Sequence, residues 1–187
     1  MPEKPSRVRS PFTGETISKL RIGTPVLISG VVFVGRDAAH RRIVEALDKG
    51  QTPPFSIDGQ TVYYMGPSPA RPGQVIGSAG PTTSSRMDAF TPRLLQAGLK
   101  AMIGKGERSA AVRQAIVKHR AIYLVATGGA AALITKSITK CDVVAYAELG
   151  AEALLRIEVE DFPAIVANDI YGGDLFEQAK AKYRREG

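Results

Sequence analysis

The chain has one cysteine, Cys141, and two histidines, His40 and His119. A lone thiol makes no internal disulfide, which points to a reducing compartment. Nor can so few donors build a zinc or iron–sulfur site, which takes about three or four protein ligands. Any metal chemistry must borrow its ligands from another chain. Tryptophan is absent and aromatics make up 6% of residues, so the core is expected to be mainly aliphatic. No apolar run reaches the roughly 18 residues that would span a bilayer. The opening MPEKPSRVRSPF lacks the apolar stretch of a signal peptide. A cytoplasmic location with no membrane partner is therefore expected. Aromatic–basic interleaving of the kind that stacks bases is also missing.

What is present suits a folded domain. The 187 residues are 44% hydrophobic and 23% charged, ordinary globular values for a length that fits one domain. Residues 1–15 read as an extended N-terminal arm of that domain. The formal charge of +7 comes from 25 basic and 18 acidic residues. Part of the excess lies at the ends, in Lys4, Arg7 and Arg9 and in Lys180, Lys182, Arg184 and Arg185. A solvated basic surface explains those termini better than a nucleic-acid interface does. A non-catalytic module that binds RNA or an acidic protein stays as the remote alternative.

Strand and helix patterns alternate along most of the chain. The β-branched run Val26 to Val34 reads as a strand bent at Gly30. Asp37 is placed to cap a helix whose stripe is Ile43, Val44 and Leu47 and which stops at Gly50. Residues 64–73 read as a surface loop and 74–78 as a short strand. The next helix, over 84–98, has Ser85 and Asp88 at capping-box spacing and a fresh start at Thr91–Pro92. Strands are expected at 100–103 and 120–126, around a helix with Val112, Ala115 and Ile116 inward. More strands follow in 142–149 and 154–169, and a helix from Asp174 closes the chain. The fold class is thus α/β, a mixed β-sheet with flanking helices, parallel crossovers and antiparallel pairing in the N-terminal third.

In such sheets ligands settle beyond the carboxyl ends of the strands. The turns there read VGRDAAH, SAGPTTSSR, GKGER and ATGGAA, bringing Arg36, Arg86, Lys105 and Arg108 beside hydroxyls and free backbone N–H groups. That chemistry holds anions. Each piece has a plainer reading. Thr82 to Ser85 serve equally well as helix caps, GKGER as a surface turn, TGGAA as close helix packing, His40 as a structural histidine and Cys141 as a small buried residue. GKGER is no phosphate loop, since the glycine–lysine spacing is wrong. No acid pair or nucleophile–histidine pair accompanies these turns. From the residues alone the crevice is one for a small anion, and half of an active site.

Longer strings say more. SGVVFVGRDAAH, GPTTSSRMD, IGKGER, ATGGAAALI and DFPAIVANDIYGGDLF follow one another across residues 10–180. In order and spacing they resemble the β subunit, or equivalent C-terminal domain, of iron–sulfur-dependent class I fumarases and L-tartrate dehydratases. The resemblance implies a swivelling β/β/α-type domain in a hydro-lyase that hydrates fumarate to (S)-malate, or else acts on L-tartrate or methylfumarate. It implies a [4Fe-4S] cluster held by cysteines of a partner α subunit and none held by this chain. The two would form a hetero-oligomer such as α2β2, inactive without the α part and handling a small dicarboxylate. By the same resemblance Arg36, Arg86 and Lys105 bind substrate, Thr82 is the proposed proton-transfer base and a substrate contact, and Thr83 stands beside it. An alcohol needs activation or a relay for that role. Where relatives often carry Ala-Gly, this chain has Ser84 and Ser85.

Overall fold

A computed structural model describes residues 4–126 and 131–184. In chain order the elements are β1 (Ser6–Ser10), α1 (Gly14–Lys19), β2 (Pro25–Val34), α2 (Asp37–Asp48) and β3 (Thr61–Tyr63). A 3₁₀ turn at Ser84–Met87 leads to α3 (Thr91–Gln96), β4 (Ala101–Gly104), α4 (Ala110–Lys118) and β5 (Ile122–Val125). Then come α5 (Ala131–Ser137), β6 (Ile138–Ala145), a 3₁₀ segment at Ala147–Glu152, β7 (Leu154–Asn168) and α6 (Leu175–Tyr183).

The sheet has seven strands in the order β1-β2-β3-β4-β5-β7-β6, and β2 also pairs with β7. That extra pairing closes β2, β3, β4, β5 and β7 into a ring, with β1 and β6 as additions. Ring closure depends on β7, whose 15 residues are long enough to pair with β2, β5 and β6 in turn. The pairs among β1 to β5 are parallel, and those made by β7 are antiparallel. The expected mixed α/β sheet is present, and the antiparallel pairing expected in the N-terminal third is there as the β2–β7 ladder, joined by the pairs of β7 with β5 and β6.

Alternation along the strands feeds two cores. Tyr63, Ile103, Leu124 and Phe162 face one cluster, which also holds Ile28, Val32 and Ile157. Their neighbours Val62, Met102 and Tyr123 face the other, where α2, α3 and α4 bring Ile43, Leu94, Leu95, Val112 and Ile116. The expected inward residues of α4 are buried, as is Ile43 of α2, while Val44 and Leu47 are partly buried. The bend expected at Gly30 is a bulge in the β2–β7 register. There φ is +116°, and a Cβ would lie 2.2 Å from the Ser10 carbonyl oxygen, so the position needs glycine.

Several local expectations are corrected. Residues 6–10 of the N-terminal arm are a strand laddered parallel to β2, and Thr13 caps α1 by accepting from Thr16 N–H at 3.1 Å. Residues 74–78 make no strand; the one that enters the sheet here is Thr61–Tyr63, richer in β-branched and aromatic side chains. Asp88 is not a capping-box partner of Ser85; it accepts from Ser109 N–H at 2.7 Å, at the mouth of α4. Asp37 does not cap α2 either, because Arg36 occupies the N-cap. Residues 142–145 continue β6, but Tyr146 turns left-handed and ends it. The TGGA part of the expected glycine turn and Arg185 lie outside the described residues. Among the described residues no helix is long and apolar enough to cross a membrane.

Candidate active site

The ends of β3 and β4 carry the hydroxyl run. Thr82 N–H donates to the Tyr64 carbonyl at 2.7 Å, and Ser84 N–H to the Lys105 carbonyl at 2.9 Å. Between them Thr83 forms an isolated parallel bridge with Lys105. The segment thus extends the sheet for a few residues before turning into the 3₁₀ helix. Gly104 makes this approach possible, since a Cβ there would sit 2.0 Å from Ser84 Oγ. Ser84 is fully buried, and its hydroxyl is bonded to Tyr123 Oη at 2.8 Å. The Tyr123 hydroxyl accepts from Ser84 and donates its own proton to the Gly106 carbonyl at 2.8 Å, tying the TTSSR turn to the GKGER turn. Burial pushes its pKa up, which keeps the phenol protonated.

Within that run the two readings divide by residue. Ser84 serves the fold. Thr83 and Ser85 are exposed and Thr82 is half-buried. Their hydroxyls, and the exposed ammonium of Lys105, find no hydrogen-bond or ion-pair partner among the described residues.

Two arginines complete the rim. Arg86 pairs bidentately with Asp37, Nε to Oδ1 at 3.0 Å and Nη2 to Oδ2 at 2.7 Å. This pair carries the TTSSR turn to the start of α2, directly beside Arg36. Arg36 in turn donates to Glu152 from Nε at 3.0 Å, and its Nη2 lies 2.9 Å from the same carboxylate oxygen as an ion pair. Arg36, Thr82, Thr83, Arg86 and Lys105 are therefore brought together on one rim, at the carboxyl ends of β2, β3 and β4. The rim lies where the crevice rule looks, beyond the carboxyl ends of the strands, with β3 in place of the expected strand at 74–78.

Arg108 does not belong to the rim. Its side chain is fully buried, bonded to Asp88 at 2.8 Å, Thr91 Oγ1 at 2.7 Å and Tyr64 Oη at 3.3 Å, and it lies 4.9 Å from the Tyr123 ring centroid. Burial opposes its charge, but Tyr64, Asp88 and Tyr123 outweigh that and hold its pKa above the ordinary value. It fastens the turns from beneath.

His40 is buried under α2, with Nδ1 3.0 Å from the Arg36 carbonyl oxygen. Burial lowers its pKa to about 4, so the ring is neutral at pH 7 and Nδ1–H is the donor. Its Nε2 has no partner, so the histidine is structural but only half satisfied. Cys141 lies on β6, partly buried against the ring's core, and burial raises its pKa toward the neutral thiol. Among the described residues no three His, Cys, Asp or Glu side chains gather as a metal site. The residues present do not fit an iron–sulfur cluster, which takes thiolates. Sequence reading missed Glu152, which no motif flags and which reaches Arg36 only through the fold.

The family model described as Fumarase C-terminus matches residues 4–179. The "Fumarate hydratase class I, aerobic" of Escherichia coli (strain K12) is 42% identical over 164 residues, which is 87% of this chain and 30% of that protein. Its Salmonella typhimurium counterpart of the same name is 40% identical over 169 residues, covering 89% and 29% respectively. A Methanocaldococcus jannaschii protein named "Putative L(+)-tartrate dehydratase subunit beta" is 33% identical over 177 residues, covering 91% of both chains. The chain thus spans under a third of the length of the curated fumarate hydratases it matches, and nearly all of the archaeal subunit.

Proposed function

Because this chain belongs to the family of fumarase C-terminal domains, we propose that it is the β part of a two-part hydro-lyase, reversibly hydrating fumarate to (S)-malate. The [4Fe-4S] cluster of the assembled enzyme belongs to a partner α subunit in a cytoplasmic hetero-oligomer. The observation that carries the reading is the rim itself. Two oriented guanidiniums, an uncompensated ammonium and free hydroxyls sit together where a small dianion would lie.

Each group then has a task. Arg36 and Arg86 grip the substrate carboxylates through the donors their aspartate and glutamate partners leave free. Charge-assisted bonds of this kind are about twice as strong as neutral ones. Lys105 stabilises the negative charge that grows on the substrate as a proton leaves carbon, a term that gains weight once water is shut out. Thr82 stands nearest to a proton-transfer role, with Thr83 beside it. No described side chain of this chain activates the Thr82 hydroxyl, so its proton must be passed on to some other group.

L-Tartrate dehydration is the second reading, favoured by the near full-length match to the archaeal subunit. Anaerobic co-expression with the α subunit, followed by rates on fumarate, methylfumarate and L-tartrate, tests both. Fumarate is expected to turn over fastest, and the chain alone not at all. Fastest turnover of L-tartrate would shift the assignment to the second reading. A cluster-loaded complex that acts on none of the three would refute the function.

A further inference from the structure

The segment from Tyr146 to Glu152 carries no motif, yet it is fastened to the start of α2 at two levels. Arg42 pairs with Glu148 and stacks on Tyr146, 5.1 Å from the ring centroid. One turn earlier Glu152 uses both of its oxygens. Oε1 accepts from Arg36 Nε–H and is ion-paired with Nη2 at 2.9 Å, and Oε2 accepts from Ala38 N–H at 3.0 Å. The Arg36 and Glu152 side chains are 28% and 25% exposed, so solvent screens this pair less than an ordinary surface one.

On another side the guanidinium meets bare backbone. A Cβ added at Gly66 would lie 3.0 Å from Arg36 Cζ and Nε, and 2.9 Å from the Ala151 carbonyl oxygen. Gly66 is not among the glycines with positive φ, so space rather than backbone freedom calls for glycine here. The guanidinium is thus held along one edge and closely packed at a second place.

We propose that Glu152, together with Gly66, forms a socket that positions Arg36 to receive a substrate carboxylate. A guanidinium has five N–H donors. Glu152 takes Nε–H and pairs in charge with Nη2 at 2.9 Å, leaving the hydrogens of Nη1 and Nη2 for a ligand. A free arginine loses much rotamer freedom when it binds, whereas one already fixed loses little. The second oxygen of Glu152 locks the socket to the first turn of α2, so Arg36 and the helix it opens move as one. Glu152 touches no substrate in this scheme. The role rests on the hydro-lyase reading, because it presupposes that Arg36 grips a carboxylate.

A double-mutant cycle in the complex with the α subunit tests it. Arg36→Ala is expected to lower kcat/KM for fumarate about 100-fold and Glu152→Ala about 10-fold, mostly through KM. The double variant should be no worse than Arg36→Ala alone, since contacting residues are coupled. Glu152→Gln keeps the shape and an acceptor for Ala38 N–H, and should fall between wild type and Glu152→Ala. It also serves if the alanine variant folds poorly. Multiplying effects, about 1000-fold in the double variant, would mean that Glu152 acts apart from Arg36 and would overturn the proposal. A second arm needs no turnover: hydrogen exchange at Arg36 Nε–H, followed by NMR with ¹⁵N-arginine in this chain only. Exchange should quicken in Glu152→Ala, and unchanged protection would equally overturn the socket. Should the wild-type complex act on no dicarboxylate, the hydro-lyase reading falls, and this arm still decides whether Glu152 immobilises Arg36.

Discussion

Arg86 and Arg108 flank β4, and each donates to an aspartate, yet they do opposite work. Arg108 has no exposed side-chain surface and every neighbour is a structural partner; Arg86 is half exposed and bonded along one edge only. The same split separates Ser84 from Thr83, adjacent in sequence, one buried on Tyr123 and the other at the rim. The lower layer fixes the turns, so that the upper layer can leave its donors unspent. Residue type therefore does not tell a side chain with unspent donors from a fastening in these turns; depth does.

The sharpest way to break this contrast is to truncate the lower arginine. Arg108→Ala leaves the mostly buried Asp88 without its charge partner, and should cost about 3 kcal/mol of stability, read from urea unfolding. A loss below about 1 kcal/mol would place Arg108 with the rim instead.

Arg86→Ala should do the reverse. Its pair with Asp37 is half exposed, so unfolding should shift by less than about 1 kcal/mol. Turnover of fumarate by the assembled complex should meanwhile fall about 100-fold, or ~2.7 kcal/mol of transition-state stabilisation. Equal losses of stability and activity would erase the distinction between the layers. Thr82→Ala should lower kcat with KM little changed; intact turnover would remove the threonine from proton transfer.

His40 adds a pH test of the lower layer. Its folded pKa of about 4 lies below the ordinary histidine value of 6.5, so the unfolded chain binds the extra proton first. Stability is full above pH 6.5 and falls as pH drops toward 4, by ~2 kcal/mol at pH 5. Denaturation midpoints at pH 7.5 and pH 5 should show that loss in wild type and a smaller one in His40→Gln. The mildest expected effect is at Lys19, whose pair with Glu15 is over two-thirds exposed on both sides. Lys19→Ala should move stability by less than about 0.5 kcal/mol and activity not at all.

How much of this was legible in the sequence follows the same line. Periodicity gave α2, α4 and the β-branched run of β2, because their apolar stripes face one core. It failed at Thr61–Tyr63, where three residues buried on both sides show no alternation, and at residues 74–78, whose apolar side chains are not laddered. Local spacing also misassigned Asp37 and Asp88 as caps of their own helices. Each instead bonds a residue from a distant turn, a choice made by tertiary packing. That Arg36, Thr82, Thr83, Arg86 and Lys105 lie near one another was legible only through the motif strings that carry them. Glu152 was not, since its contact with Arg36 exists only once β7 has folded back beside β2.

Lys105 offers the most direct measurement, being exposed and unpartnered among the described residues. The determination is kcat/KM for fumarate and the unfolding midpoint of Lys105→Ala, side by side with wild type in the assembled complex. The account predicts a loss of about 100-fold in kcat/KM with the midpoint unmoved. Wild-type turnover in a folded Lys105→Ala complex would contradict it.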